Sequence, residues 1–139
     1  MRGRARFIVV AGLGILACGS SRLAAAADAV VPREELSQKV VVRDVVVGDD
    51  GAVSGVLANT SGHRLREVRL LIRYQWLWRD EFHPGNDSPG TASYYVVPEE
   101  IPPGGTASFS YRPDPPLPRR SDGTFQTAVE VAGLLEFSD

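Results

Sequence analysis

Glu67-Val68-Arg69-Leu70-Leu71-Ile72-Arg73-Tyr74-Gln75-Trp76-Leu77-Trp78-Arg79 is the stretch that decides the fold. Alternate positions read Val68, Leu70, Ile72, Tyr74, Trp76 and Trp78; the positions between read Arg69, Leu71, Arg73, Gln75, Leu77 and Arg79. A period of two belongs to an extended strand, whose side chains point to opposite faces in turn. The first set faces a core, and a strand of this length needs neighbours on both sides. Leu71 and Leu77 lie on the arginine face and need cover from a loop or a partner.

Upstream, Val40 to Val47 is rich in β-branched residues and disfavours a helix. Gly48-Asp49-Asp50-Gly51 is a turn, so Ala52 to Asn59 returns as the second arm of a hairpin. Thr60-Ser61-Gly62-His63 is a second turn. Downstream, a long polar loop covers residues 79–90, and Ser93 to Val97 resumes strand character. Pro98 to Gly105 is a corner, and Thr106 to Arg112 alternates with Ala107, Phe109 and Tyr111 on one face. Residues 113–122 are irregular, with Leu117 their one packing residue. Phe125, Thr127, Val129 and Val131 alternate again, and Gly133 marks a bulge before Leu134. Short strands with Gly/Pro corners and no helices predict an all-β fold, an immunoglobulin-like antiparallel β-sandwich of about six or seven strands. Val40, Val42, Val45, Val53 and Leu57 are expected in its core beside the inward set of the long strand, with Phe109, Tyr111, Val129 and Val131.

The N-terminus carries an address. Arg2, Arg4 and Arg6 precede an apolar run from Phe7 to Cys18, and Ala24-Ala25-Ala26-Ala27 follows. These are the parts of a secretory signal peptide over residues 1–27. The apolar run of about 12 residues is too short to span ~30 Å of hydrocarbon. Gly14-Ile15-Leu16-Ala17-Cys18 resembles a bacterial lipobox, which makes Cys18 the lipidation candidate. Cleavage after Ala26 or Ala27 is the other exit. Residues 28–38 read as a tether, leaving 39–139 as the sandwich domain. Cys18 is the one cysteine, so no intrachain disulfide supports the fold. Residues 1–27 hold four of the 15 basic and none of the 17 acidic residues, so the remainder carries 11 against 17, a net −6. That balance argues against nucleic acid or an anionic membrane surface as a partner.

Gly55-Val56-Leu57-Ala58-Asn59-Thr60-Ser61, Leu65 to Ile72, and Ile101-Pro102-Pro103-Gly104-Gly105 leading to Phe109-Ser110-Tyr111 resemble the FxLYD-type domains. Tyr74-Gln75-Trp76-Leu77-Trp78 is similar to the aromatic strand of the YcfL-type periplasmic lipoproteins. The likeness spans roughly residues 50–112. It implies a small exported immunoglobulin-like domain of bacteria and brings no catalytic residues. Gln75 stands where the Asp of the FxLYD name would follow Tyr74.

The chain offers little for catalysis. It has no Gly-x-Ser-x-Gly elbow, and its two histidines, His63 and His83, fall in turns. Asp80, Glu81, His83, Asn86 and Asp87 crowd one loop without the ligand order of an EF-hand, so a solvated turn is the simpler reading. Pro115-Pro116-Leu117-Pro118-Arg119-Arg120 fits a polyproline-ligand pattern but reads more simply as a connection. Asn59-Thr60-Ser61 and Asn86-Asp87-Ser88 match glycosylation sequons, though Asn59 serves more simply as a turn cap. What remains is a surface: Arg69, Leu71, Arg73 and Leu77, with Tyr94 or Tyr95 adjacent, since arginine, leucine and aromatic side chains together suit a protein contact. The expectation is a non-enzymatic, exported domain, periplasmic or secreted, without a cofactor or metal. It binds another cell-envelope protein or itself, and the oligomeric state stays open. The alternatives are an accessory or structural lipoprotein, held at a membrane through Cys18 alone, and a small-ligand or metal-binding domain using residues 79–90.

Overall fold

The computed structural model describes residues 29–138. Residues 1–27, expected as a signal peptide, and the lipidation candidate Cys18 lie outside the described residues. Seven strands follow in order: β1 (Ala29–Val30), β2 (Val40–Val47), β3 (Val53–Asn59), β4 (Arg64–Trp78), β5 (Thr91–Val96), β6 (Thr106–Tyr111) and β7 (Gly123–Phe137). A 3-10 turn over Arg33–Glu35 and a one-turn helix, α1 (Leu36–Lys39), link β1 to β2. No helix among the described residues is long and apolar enough to cross a membrane.

The strands form two antiparallel sheets, β1-β7-β4-β5 and β2-β3-β6. This is the expected all-β antiparallel sandwich. The long alternating strand is β4, and it pairs with β7 on one side and β5 on the other. Its inward set from Val68 to Trp76 is buried, with Leu70 and Ile72 fully enclosed. Val53, Leu57, Ala107 and Phe109 meet it from the facing sheet. Gly55 lies under the Phe109 ring, where an added Cβ would come within 2.8 Å of it. Tyr74 joins the layers through its phenol, which donates to Gly51 O at 2.5 Å. Burial, with Tyr111 and Asp50 nearby, pushes its pKa up to about 12.

Three bulges break the period of two. In β2 an extra residue falls between Arg43 and Val46, and Asp44 has φ +55°. Val45, expected in the core, is therefore turned out and is 43% exposed. In β4 the step from Arg66 to Arg69 meets a shorter step in β7, and Glu67 has φ +51°. That reversal sends Leu65 inward, although alternation counted back from Val68 places it outward; it is fully buried. The third bulge precedes Gly133 in β7, close to the expected site, and it brings Leu134 into the core.

The 28–38 tether needs correction. Ala29 and Val30 pair with Glu136 and Leu135 of β7, while Val31 and Leu36 are buried in the core. Lys39 ion-pairs with Glu136 at 3.1 Å. The segment closes one end of the sandwich because its apolar residues at 31 and 36 have a core to enter. Val97 and Ile101 are two further core residues that the alternation did not mark.

Candidate functional site: the outer face of the long sheet

The outward residues of β4 lie between two neighbours whose registers fix what stands beside them. Leu71 is flanked by Tyr94 of β5 and Glu130 of β7. Arg69 is flanked by Val96 and Gly133, and Arg73 by Ala92 and Ala128. The rows on either side of Leu71 thus contain Gly133, Ala92 and Ala128, which rise little above the sheet. Leu71 and Tyr94 stand over a low floor. Tyr94 is 64% exposed and Val96 46% exposed, while Leu71 is half-buried. The Arg69 guanidinium lies 5.9 Å from the centre of the Tyr94 ring, a cation–π contact that holds the phenol over the sheet. Arg73 is tied to Glu130 at 3.5 Å.

Two expected members fall outside this patch. Tyr95 points inward opposite Leu70, packs on the core and sits 5.7 Å from the Tyr111 ring. Alternation permits one outward ring in the Tyr94-Tyr95 pair, and the register gives it to Tyr94. Leu77 is on the right face and 42% exposed. It lies beyond the last residue of β4 that β5 reaches, Tyr74, so no β5 side chain stands beside it. Phe82 was missed by the sequence reading and is the most exposed large apolar side chain among the described residues, at 92%. Its signal was a lone Phe within an otherwise polar loop.

The 79–90 loop bonds one carboxylate within itself and a second to the 113–122 connection. Asp80 Oδ2 lies 2.9 Å from His83 Nδ1, and its Oδ1 accepts from Phe82 N. Asp87 is engaged by Arg120, which also forks onto Asp122 and lies 5.4 Å over both the Trp76 and Trp78 rings. The Arg120 hydrogen bonds hold the Asp122 carboxyl below its ordinary pKa. Arg120 thus clamps the 79–90 loop to the 113–122 connection across an aromatic pair. No group of three or more His, Cys, Asp and Glu that could hold a metal occurs among the described residues. His63 and His83 sit beyond opposite ends of β4, too far apart to work together.

Asn59 takes the turn-capping role. It is 2% exposed, and its Nδ2 donates to His63 O, Ile101 O and Pro102 O at 2.7, 2.9 and 3.0 Å. Its Oδ1 accepts from Ser61 N and Ser61 Oγ. A side chain so enclosed is a turn clamp, as the simpler reading expects.

No family model, curated protein or solved structure matches this chain. The resemblance to the FxLYD-type and YcfL-type domains gains no support from these comparisons.

Proposed function

We propose that the chain is an exported, non-enzymatic binding module that holds another cell-envelope protein against the outer face of β4 and β5. The observation that carries this reading is the Leu71–Tyr94 pair: two adjacent large side chains, directly opposed across strands, standing over Ala92, Ala128 and Gly133 with Arg69 stacked alongside. Tyrosine and arginine side chains are enriched among interface hot spots, where single truncations cost ~2 kcal/mol or more. Export rests on the arginine-led apolar segment of residues 1–27 and its Ala-rich exit. The test is affinity capture from the envelope fraction of the producing cell, comparing wild type with a Leu71→Ser/Tyr94→Ser double variant. The double variant retains its melting transition and loses the captured protein. Equal capture by both removes the face from the account.

A further inference from the structure

β7 is paired with β4 along one side from Gly123 to Phe137. Its other side is covered at one end, where β1 pairs with Leu135 and Glu136 and Val31 N donates to Leu134 O. From Gly123 to Gly133 no strand pairs with that side among the described residues. At about 3.3 Å per residue this leaves roughly 30 Å of open edge.

The other edges are protected and this one is not. β5 and β6 have six residues each, with Pro89 and Pro98 flanking one and Pro103 and Pro113 near the ends of the other. β2 is kinked by its bulge and carries Arg43 and Asp44 there. Short strands, prolines, charges and bulges are the devices that prevent edge pairing. Gly123 to Gly133 has no proline, and Glu130 is its one charged residue. The inward side chains of this stretch, Phe125, Thr127, Val129 and Val131, are half-buried, so the sandwich is open beneath them. Two spaces lie along the opening. One of about 690 Å³ adjoins Phe125, Trp76 and Val47; one of about 390 Å³ adjoins Val131, Leu36 and Val42.

We infer that this edge pairs with the same edge of a second copy of the chain, antiparallel, about a two-fold axis at Ala128. A two-fold contact must be self-complementary, and this sequence is. Phe125 of one copy comes opposite Val131 of the other, and Thr127 opposite Val129, all on the inward side. Gln126 comes opposite Glu130 on the outward side, and Ala128 meets itself on the axis. Apolar residues meet apolar or neutral ones, the one charge faces an amide that can donate to it, and the smallest side chain occupies the dyad. Phe125 of the second copy lies at the end where the 390 Å³ space opens. The sheets join into one, and the Leu71–Tyr94 face stays uncovered, so the inference stands apart from the proposed function.

Sedimentation velocity on the purified full chain tests this, over a wide range of concentration at low salt. Gln126 is exposed, so its substitutions leave the core untouched. Wild type forms a dimer. Gln126→Glu places two carboxylates opposite each other twice across the axis and raises the dimer Kd by roughly threefold to tenfold; Gln126→Lys lowers it by a similar factor. Ala128→Cys in a Cys18→Ser background forms a disulfide-linked dimer on mild oxidation. A monomer at every concentration overturns the inference. So does a dimer whose affinity does not move in opposite directions with the two charges, or one that gives no cross-link at position 128.

Discussion

Asn59→Ala is the substitution that separates a clamp from a passive turn residue. The amide has two hydrogens and three carbonyl acceptors, and its oxygen takes two donors from Ser61. It fastens the 60–63 turn to the 101–105 corner, two segments that are distant in sequence. The contact with Ile101 O is buried, so leaving that carbonyl unpaired costs ~1–3 kcal/mol. The other contacts lie nearer solvent, where water replaces the amide at a loss of ~0.5–1 kcal/mol each. The sum is ~4 kcal/mol, which for a domain near this size lowers Tm by about 15 °C. Urea unfolding followed by the fluorescence of Trp76 and Trp78 measures it as a fall in midpoint at unchanged slope. Asn59→Asp keeps the acceptor and points a carboxylate at three carbonyls. Its folded-state pKa rises, so this variant is least stable at neutral pH and recovers as pH falls and the group protonates. A loss below ~1 kcal/mol for Asn59→Ala would refute the clamp, because unmade buried hydrogen bonds cannot cost so little.

Other outcomes follow from the same packing. Trp76→Ala removes a buried ring 4.7 Å from Phe125 and beneath Arg120, and should cost ~3–5 kcal/mol in chemical denaturation. Gly123→Ala should be as damaging, since its Cβ would stand 2.3 Å from Leu77 O and 2.6 Å from the Trp76 ring; differential scanning fluorimetry reads the drop in Tm. The Tyr74 phenol has its pKa raised to about 12 against an ordinary 10.0. Its contribution is therefore whole below pH 10 and lost as pH rises from about 10 toward 12, because the unfolded chain releases that proton first. Tyr74→Phe should be less stable at neutral pH and should flatten this alkaline loss in a pH series of melting curves.

The long β4 strand was legible because its alternation is unbroken from Val68 to Trp78, and a strand buried on one face must show that period. The same counting failed at the bulges of β2 and β4. Val45 was misplaced and Leu65 left unmarked because one extra residue reverses every face beyond it, and the residues at the irregularities, Asp44 and Glu67, are not the glycines that advertise a positive φ. Gly133 did advertise its bulge. Residues 29–38 looked like a tether because their apolar residues, Val31 and Leu36, are too sparse to show a period; what buries them is the end of a sandwich assembled from distant segments. The outer face was legible in its β4 half. Its second half depended on the β4–β5 register, which is set by a loop of a dozen irregular residues and cannot be counted from the sequence. Hence Tyr94 and Tyr95 were left as alternatives, and the low floor of Ala92, Ala128 and Gly133 emerged with the pairing.

The central claim is that the Leu71–Tyr94 face holds a protein of the cell envelope. Its most direct measurement is a photoreactive phenylalanine analogue placed at position 94 in the producing cell, with position 46 on the outer side of β2 as the control. The account predicts one discrete adduct from position 94, absent from position 46 and lost when Leu71→Ser is added. No adduct, or the same adducts from both positions, would contradict it.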